Sequence, residues 1–271
     1  MTTPIKRLFW DIETSPNVVF AWRTGFKLTV LPHSIIKERS TICIGYKWQG
    51  DAQAHVLTWD GRQSDKVMLK TFLDVAADAD ELVAHNGDRY DIAWLRTRCL
   101  FHKLAPLPAY KTVDTLAWAK RLCYFNSNGL DYIAKYLGIG SKIDTDFNLW
   151  RSIVLDKDPN ALAKMATYCE HDVHILEQVW ERLSQIAGPK THAGVIAGVG
   201  KWTCPHCASE DVISNRIKAT AAGTIQHQMR CKKCSKFYTI SEPTFTLYRK
   251  HHASRLPQPR TGPAVPDKPA A

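Results

Sequence analysis

Two carboxylates stand two residues apart in the apolar segment "RLFWDIETSP" near the N-terminus. If this segment is a strand, Asp11 and Glu13 project from the same face of a sheet, because strand side chains alternate between faces. Burying two unpaired anions side by side would be very costly. A divalent cation removes that cost, and Mg²⁺ prefers carboxylate oxygens. The pair therefore indicates a metal site; the alternative is an exposed edge strand with both acids in water.

The segment "ELVAHNGDRYDIAWL" combines a short buried strand, a turn at Gly87 and the start of a helix that carries Asp91. His85 and Asn86 fall at the end of the strand, where α/β folds place groups that contact ligands. We expect Asp88 to be an N-cap or first-turn acid, since the helix dipole favours anions there. Taken alone, Asp91 has the same explanation, and a metal role for it depends on the other segments.

The segment "MATYCEHDVHILEQVWERL" is predicted to be a helix on which Tyr168 and Asp172 share one face, because residues four apart lie one turn from each other. Apolar residues on the same helix supply its packing side. His171 and His174 flank the acid, but histidines in such positions are more often solvated or capping groups than metal ligands. The helix therefore brings a third acid and a phenol to one position.

Two CxxC pairs near the C-terminus are separated by 23 residues. This spacer is slightly longer than the roughly 15–20 residues common between zinc-binding pairs, but zinc ribbons tolerate long hairpin loops. Zn²⁺ takes four tetrahedral ligands, and the intervening "VISNRI" and "IQHQMRC" read as the strands of a hairpin. The pattern resembles a zinc ribbon with one structural Zn²⁺; disulfides are the alternative, and His206 inside a knuckle is not expected to be a ligand. The predicted ligands are Cys204, Cys207, Cys231 and Cys234.

The remaining four cysteines have no pair spacing and are interpreted as small buried hydrophobes: Cys43, Cys99, Cys123 and Cys169. Both sets fit an intracellular, reducing compartment. No run approaches the ~18 apolar residues of a membrane-spanning helix, and the N-terminal segment does not resemble a signal peptide. We therefore expect a soluble protein of the cytoplasm, of a bacterium or a phage-infected host, with no membrane partner.

Basic charge is concentrated at the C-terminus. Residues 1–187 hold 23 Lys and Arg against 22 Asp and Glu, whereas residues 188–271 hold 13 against 4. Such an excess favours a polyanion partner through phosphate contacts, or it is a solvated tail. The aromatic residues Trp202, Phe237 and Tyr238 would either stack on bases or form the small core of the ribbon, and a protein-docking ribbon is a third option. The candidate nucleic-acid contacts are Arg216, Lys218, Arg230, Lys232, Lys233 and Lys236.

The elements that must position these groups follow from the apolar pattern. Strand-like runs come first ("IKRLFWDIE", "STICIGYKW" and "QAHVLTW"), then a helix opened by Ser64, the strand "ELVAHNG", and helices at about 88–103, 112–124, 129–137 and 160–186. This order predicts an α/β or α+β sheet domain. The predicted domains are a sheet domain (1–187), a linker (188–200), a cysteine module (201–248) and a disordered Pro-rich basic tail (249–271).

The motifs "DIET", "HNGDRYD" and "YCEHD", in this order, resemble the three exonuclease motifs of the DEDD 3′–5′ exonuclease family. Tyr168 is similar to the mark of its tyrosine subgroup; the other subgroup has His one position earlier, where this chain has Thr167. "VDTLAWAKRL" and "GLDYIAKYLGI" are similar to connecting helices of the family. The resemblance covers about residues 5–185, is greater to standalone bacterial and phage proteins than to polymerase-fused domains, and departs at Tyr90, where Phe is common.

The resemblance implies a ribonuclease-H-like mixed sheet flanked by helices, and two Mg²⁺ or Mn²⁺ ions about 3.5–4 Å apart. By this resemblance Asp11 bridges both ions, Glu13 and Asp172 complete the site of the first, and Asp91 holds the second largely through water. Such a site would hydrolyse phosphodiester bonds by a two-metal mechanism.

The resemblance also implies that Tyr168 orients the attacking water and that Asn86 contacts the terminal nucleotide. The expected substrate is nucleic acid with a 3′ end, with single-stranded DNA favoured over RNA. A structure-specific endonuclease or resolvase on the same fold, and a non-catalytic nucleic-acid-binding protein, are the alternatives.

Overall fold

A computed structural model describes residues 5–25, 28–105, 107 and 110–253. The chain divides into two compact units between Thr191 and His192. No helix in the described ranges is long and apolar enough to cross a membrane.

A five-stranded mixed sheet forms the centre of the first unit, with the strand order β5-β4-β1-β6-β7. β1 pairs antiparallel with β4 and parallel with β6, so the sheet changes direction beside β1. A separate two-stranded sheet pairs β2 with β3. The strands described for this unit are β1 (Arg7–Thr14), β2 (Val18–Val19), β3 (Ile35–Lys37), β4 (Thr41–Trp48), β5 (His55–Thr58), β6 (Glu81–Ala84) and β7 (Lys111–Asp114).

Helices cover both faces of the five-stranded sheet, which confirms the predicted α/β class with a mixed sheet flanked by helices. A 3₁₀ turn (Pro32–Ser34) precedes β3, and a π-helical turn (Ser152–Asp156) connects the last two helices of the unit. The helices described are α1 (Lys66–Ala76), α2 (Asp91–His102), α3 (Thr115–Leu122), α4 (Leu130–Tyr136), α5 (Phe147–Arg151) and α6 (Pro159–Leu183).

The alternation of side chains along β1 divides the core into two layers. Trp10 and its same-face neighbours pack against α1 and α2, with Trp10 stacked on Phe72 at a centroid distance of 4.9 Å. Phe9 points to the opposite face and meets Trp180 of α6 edge-on at 5.4 Å. β1 is therefore buried on both faces, which excludes the exposed edge strand that the sequence left open for Asp11.

The predicted helix at 112–124 begins only at Thr115. Lys111–Asp114 instead forms β7, because these residues continue the parallel ladder of β6. The acid at the end of this strand caps the helix: the Asp114 carboxylate accepts hydrogen bonds from the backbone N–H groups of Leu116 and Ala117. Four polar or small residues give too weak a strand pattern to separate from the helix that follows.

Two predicted helix starts also differ. α1 begins at Lys66 with Asp65, not Ser64, in the N-cap position. The carboxylate of Asp65 does not cap the helix; it is fully buried and binds Arg98. α2 begins at Asp91 after Tyr90, so Asp88 lies in the preceding turn rather than at the helix start.

The second unit is built on a three-stranded antiparallel sheet in the order β10-β9-β8, with a core around Trp202 and Met229. Its helix α7 falls inside the predicted linker, because Ala193 is buried and its N–H bonds to the carbonyl of Pro205. Its last helix runs into the predicted disordered tail, and residues 254–271 of that prediction lie outside the described residues. The elements are α7 (Ala193–Ile196), β8 (Val212–Ala219), β9 (Ile225–Cys231), β10 (Phe237–Ser241) and α8 (Glu242–Ala253).

Candidate active site and cysteine cluster

Three of the predicted acids converge where α6 crosses β1. One carboxylate oxygen from each of Asp11, Glu13 and Asp172 lies within 4.8 Å of the others. The strand supplies two of them on one face, and the helix supplies the third, 159 residues later in the chain. Oxygens at such separations can share one cation. The structure thus brings together three of the four acids predicted to hold metal.

A glycine allows this close approach. Gly45 on β4 is the cross-strand partner of Asp11. A Cβ added at Gly45 would lie 2.9 Å from Sγ and 3.0 Å from the carbonyl oxygen of Cys169, and 3.0 Å from Cγ2 of Val173. Because these contacts are shorter than normal packing allows, α6 can lie this close to the sheet only over a residue without a side chain. The position of Asp172 depends on that approach.

Burial and crowding raise the pKa values of these acids. Burial, followed by the charge of Asp172, raises the pKa of Asp11 to about 7, against the lowering effect of Lys142. Burial, the charge of Asp11 and then that of Asp172 raise the pKa of Glu13 to about 8. Burial also raises the pKa of Asp172, although Lys142 opposes this. The protein alone does not neutralise the cluster, which is the condition under which a divalent cation binds.

Lys142 is the cationic side chain that contacts this cluster, and sequence reasoning did not identify it. Its ammonium group donates to Oδ2 of Asp172 at 2.5 Å and to the hydroxyl of Tyr168 at 3.3 Å. The loop that carries it is attached to α6, where Nε2 of His171 meets the carbonyl of Ser141 at 2.8 Å. His171 therefore anchors the loop and does not enter the acid cluster. A lysine in an irregular loop, 30 residues before its partner, has no periodic signal that could have revealed it.

The other oxygen of Asp172 provides the test of whether a cation fits. Oδ1 is buried and has no hydrogen-bond partner among the described residues. A buried carboxylate oxygen left without a partner is costly. The donor set around it consists of carboxylate oxygens, which are the ligands that Mg²⁺ and Mn²⁺ prefer. The residues present therefore fit a hard divalent cation.

Asp91 lies near β1 on a separate element, α2. It is 2% exposed at the first position of α2, and burial followed by the charge of Asp11 raises its pKa. Backbone N–H groups, including that of Ile12, oppose this shift by bonding to its carboxylate. Its oxygens are not part of the group that lies within 4.8 Å. Asp91 is thus electrostatically coupled to Asp11 without sharing the position of the three clustered acids.

The turn that positions Asp91 is unusual. Asn86 has a left-handed backbone (φ 69°), which Asn tolerates better than most residues. Its N–H donates to Oδ1 of Asp114 at 3.0 Å, so the end of β6 is fixed to the end of β7. His85 bonds to Oγ1 of Thr115 and to the carbonyl of Asn128, both at 2.9 Å. His85 is therefore a structural bridge, and Asn86 lies half-buried at the strand end.

Tyr168 lies one turn before Asp172 on α6. Burial and then the charge of Asp172 raise the pKa of its phenol to about 12. The hydroxyl therefore keeps its proton at neutral pH. Such a group can orient a neighbouring water by hydrogen bonding but is not a base.

The four predicted zinc cysteines converge in the second unit, with all four sulfurs within 4.8 Å of one another. Sγ of Cys204 lies 3.6 Å from that of Cys234, and Sγ of Cys207 lies 3.7 Å from that of Cys231. A disulfide bond would be about 2.05 Å long. Four sulfurs about 2.3 Å from a central zinc would be roughly 3.8 Å apart. The cluster therefore has the dimensions of a tetrahedral zinc site and is compatible with a zinc ribbon.

The two knuckles repeat one backbone arrangement. The sulfur of Cys204 accepts backbone hydrogen bonds from His206 and Cys207, and that of Cys231 accepts them from Lys233 and Cys234. Burial raises the pKa of Cys204 above its usual value in spite of these bonds. For Cys231, burial has the largest single effect, but the bonds together lower its pKa. N–H groups directed at sulfur stabilise the thiolate that a metal requires.

The predicted nucleic-acid contacts divide between two places. Three of them lie on the outer face of the three-stranded sheet, because the β8–β9 register places their side chains on the same side: Arg216, Lys218 and Arg230. Phe237 is on the same face, half-exposed, with the Arg230 guanidinium 5.8 Å from its ring. The remaining three lysines lie in or next to the second knuckle: Lys232, Lys233 and Lys236.

Two of the three aromatic residues considered for base stacking are core residues. Trp202 is 5% exposed, and the hydroxyl of Tyr238 donates to its carbonyl at 2.7 Å. The core interpretation is therefore correct for Trp202 and Tyr238, while Phe237 stays available at the surface. Lys232 is paired with Asp211 at 3.3 Å.

Comparison with known proteins agrees with this fold. The RNase_H superfamily (RNase_H_2) matches residues 36–184, which is more than half of the chain. The chain belongs to the ribonuclease H superfamily. The matched range contains Asp91, Tyr168 and Asp172 but begins after β1, so it does not include Asp11 and Glu13.

Solved structures with a similar fold include the family B DNA polymerase from the hyperthermophilic archaeon Pyrobaculum calidifontis, with a TM-score of 0.52 and 17% sequence identity. The similarity covers 67% of this ribonuclease H superfamily chain but only 25% of the polymerase chain. At this identity the similarity concerns the fold. A search of curated proteins gives no match.

Proposed function

We propose that this ribonuclease H superfamily protein is a metal-dependent 3′–5′ exonuclease of the tyrosine DEDD type, with a zinc ribbon that binds nucleic acid. The observation that carries the proposal is the convergence of Asp11, Glu13 and Asp172 within 4.8 Å. Tyr168 contacts the same lysine as Asp172, and Asp91 is coupled to Asp11. These are the residue types and the order along the chain that the motifs of the family lead one to expect.

Two divalent cations bound there would supply activation of the attacking water and stabilisation of the leaving 3′-oxygen. Asp11, whose charge acts on both Glu13 and Asp91, is in a position to share both ions. Glu13 and Asp172 would hold one ion, and Asp91 would hold the other from its place at the start of α2. The protonated Tyr168 hydroxyl would fix the position of the attacking water.

The cysteine cluster would hold one structural zinc ion. With four thiolates the coordination shell is complete, so this ion has no open position for chemistry. The basic outer face of the second unit would bind phosphates and keep the substrate near a nearly neutral catalytic unit. Single-stranded DNA is the favoured substrate, and the expected location is the cytoplasm.

The test is a time course with 3′- and 5′-labelled single-stranded DNA and RNA oligonucleotides, with Mg²⁺, Mn²⁺ or no divalent ion. We expect mononucleotide release from the 3′ end, dependent on metal, and a loss of about three orders of magnitude or more in Asp11→Ala and Asp172→Asn. Asp74→Asn, which removes an exposed carboxylate from α1, is the matched control and should retain full activity.

A circular single-stranded substrate separates the alternatives. An exonuclease finds no end on a circle and leaves it intact, so its linearisation in a metal-dependent manner would indicate an endonuclease. Binding without cleavage of any substrate, with Mg²⁺ or with Mn²⁺, would indicate a non-catalytic nucleic-acid-binding protein.

A further inference from the structure

A segment beside the acid cluster exposes large aromatic side chains. The aromatic arm, defined here as residues 18–25 and 28–37, begins five residues after Glu13 and contains β2 and β3. Its base is held to the end of β1: the N–H of Ser40 donates to Oγ of Ser15 at 2.8 Å, and that of Arg39 donates to Oδ1 of Asn17 at 2.9 Å. The arm is therefore attached at a fixed place next to the candidate active site.

Two aromatic residues of the arm are far more exposed than the core tryptophans of this unit. Trp22 is 100% exposed and Phe20 is 73% exposed, whereas Trp10, Trp94 and Trp180 of the same unit are all less than 10% exposed. Aromatic side chains as exposed as these contribute nothing to a core. Exposed apolar surface of this kind marks a place where a partner binds.

The charge of the same segment indicates which partner. Residues 17–39 contain four Arg and Lys against one Glu, whereas the rest of residues 1–187 contain 19 against 21. The arm and its base thus hold the positive charge of a unit that is otherwise slightly acidic. A ligand that combines negative charge with flat apolar faces satisfies both features, and single-stranded nucleic acid has this composition. In a duplex the bases are stacked on each other, so their faces are not available to an aromatic side chain.

A groove lies between the end of β1 and the base of the arm. It has a volume of about 520 Å³ and is lined in part by Thr14, Arg39, Phe147 and Trp150. Thr14 directly follows Glu13, and its carbonyl accepts a hydrogen bond from Nε1 of Trp150 at 3.1 Å. The groove therefore lies beside the end of β1, one residue beyond Glu13, and at the base of the arm.

The exposed sides of this groove repeat the pattern of the arm. Phe147 is 71% exposed, and the guanidinium of Arg39 lies 4.5 Å from the ring centre of the buried Trp94. Trp22 is nine residues beyond Glu13, so at most about 32 Å of extended chain separates them. A single strand that leaves the acids can thus pass a cation and several aromatic rings within a few nucleotides.

We propose that the aromatic arm and this groove form a binding site for the single-stranded segment that continues from the strand end held at the acids. Phe20 and Trp22 stack on bases, and Arg23 and Arg39 bind phosphates. This binding site adds to the proposed function. It rests on that function only in assuming that the strand end is held at the acids. If the site binds as proposed, the catalytic unit itself prefers unpaired substrate, independently of the zinc ribbon.

The experiment compares binding by the full-length protein in an Asp172→Asn background, where the expected absence of cleavage allows equilibrium measurement. Fluorescence anisotropy is measured with a labelled single-stranded 12-mer and with a blunt duplex of the same length. We expect Trp22→Ala and Phe20→Ala each to weaken binding of the single strand about tenfold, as loss of one stacked base does. Duplex binding should change less than twofold. Arg23→Ala should reduce the slope of log K against log salt by about 0.7.

Tyr124→Ala is the matched control, because Tyr124 is a fully exposed aromatic residue outside the arm. Trp22→Phe should restore most of the affinity, since a phenyl ring still stacks. Unchanged single-strand affinity in both alanine variants, or an equal loss in Tyr124→Ala, would overturn the proposal. The proposal would also be overturned if light scattering shows a wild-type dimer that Trp22→Ala abolishes while single-strand affinity is retained. The arm would then bind a second copy of the chain.

Failure of the proposed function has a different signature. A dinucleotide is too short to reach the arm, so its hydrolysis reports on the acids alone. If the arm variants, made without the Asp172→Asn change, cleave the dinucleotide normally but have a raised KM for the 12-mer, both ideas hold. If the wild-type protein cleaves neither substrate, the exonuclease proposal fails, and the anisotropy comparison still decides whether the arm binds single strands.

Discussion

The carboxylate cluster and the cysteine cluster are assembled from the chain in opposite ways. The acids come from β1 and α6, 159 residues apart, and meet only because the sheet and the helices fold around them. The cysteines come from two knuckles of four residues each, which the β8–β9 hairpin brings together. The first cluster is a product of the fold, whereas the second is built from two short local segments.

The two clusters also differ in how they affect the stability of their units when no ion is bound. Burial and mutual repulsion raise the pKa of Asp11 and Glu13, so the metal-free acids oppose the fold that holds them. The large core beneath the sheet can support this strain. The second unit has a core of only a few residues, among them Trp202, Val212 and Met229. A unit of this size usually depends on a metal or disulfides for its stability.

The largest effect that would test this comparison is removal of the zinc ligands. In Cys204→Ser plus Cys231→Ser we expect the second unit to unfold, because apparent zinc-binding energies of about 10 kcal/mol or more are folding energies in such units. Zinc content by mass spectrometry should fall from one per chain to zero, and limited proteolysis should remove the second unit only. Cys123→Ser is the control. A native protein without zinc would contradict the assignment, as would a double variant that stays resistant to protease.

The second effect concerns the contact that creates the acid cluster. Gly45→Val should destabilise the first unit by about 3 kcal/mol, because the new side chain overlaps Cys169 and Val173. It should also lower nuclease activity about 100-fold, since α6 carries Asp172 away from Asp11. Denaturant unfolding and the labelled-oligonucleotide assay measure the two effects. Gly61→Val, at a glycine with no atom within 4 Å of an added Cβ, is the control. Full activity in Gly45→Val would show that the helix does not need this approach.

The same contrast explains what could be predicted from sequence. The knuckles are local, so spacing alone identified all four cysteines that the structure brings together. The acids required three segments to be considered in their order. Lys142 could not be found in this way, because its loop has no periodicity and its partner is 30 residues distant. The close approach at Gly45 was equally hidden, since it depends on the crossing of two distant elements.

Element types were predicted well where the apolar pattern is long, as in α6 and β1, and poorly where it is short. β7 was merged into the helix that follows it, because four residues are too few for an alternating pattern to be recognised. Asp65 was missed as a buried partner of Arg98, since no local feature distinguishes it from the surface acids around it. These errors concern side chains that find their partners only through tertiary packing.

The third effect is the pH dependence of the metal-free first unit. The pKa of Asp11 is raised from 3.8 to about 7 and that of Glu13 from 4.5 to about 8. Between pH 4.5 and 8 the folded state therefore holds protons that the unfolded state has lost, so stability falls as pH rises. We expect the free energy of unfolding to fall by roughly 2 kcal/mol between pH 6 and 8. This is less than the maximum change that linkage allows for two such groups. Mg²⁺ should restore stability more at pH 8 than at pH 6.

Thermal unfolding of the metal-free protein across this range measures the effect, with Glu13→Gln as the comparison. The variant lacks one of the two titrating acids, so its melting temperature should vary less with pH, although its activity should be lost. An identical pH dependence in both proteins would mean that other groups, such as the histidines, cause it.

The smallest expected effect tests whether the fold also positions the fourth acid, Asp91. Asp114 caps α3 and also accepts the N–H of Asn86, so it connects β7 to the turn that leads to Asp91. Asp114→Ala should cost about 1 kcal/mol, as loss of an N-cap does, and should weaken Mg²⁺ binding because the turn is no longer fixed. Asp158→Ala removes the cap of α6 in the same way but lies far along that helix from Asp172. Similar losses of stability in both variants, with weaker Mg²⁺ affinity in Asp114→Ala alone, would show that the cap positions the metal site. Equal Mg²⁺ affinities by calorimetry would reduce Asp114 to a helix cap.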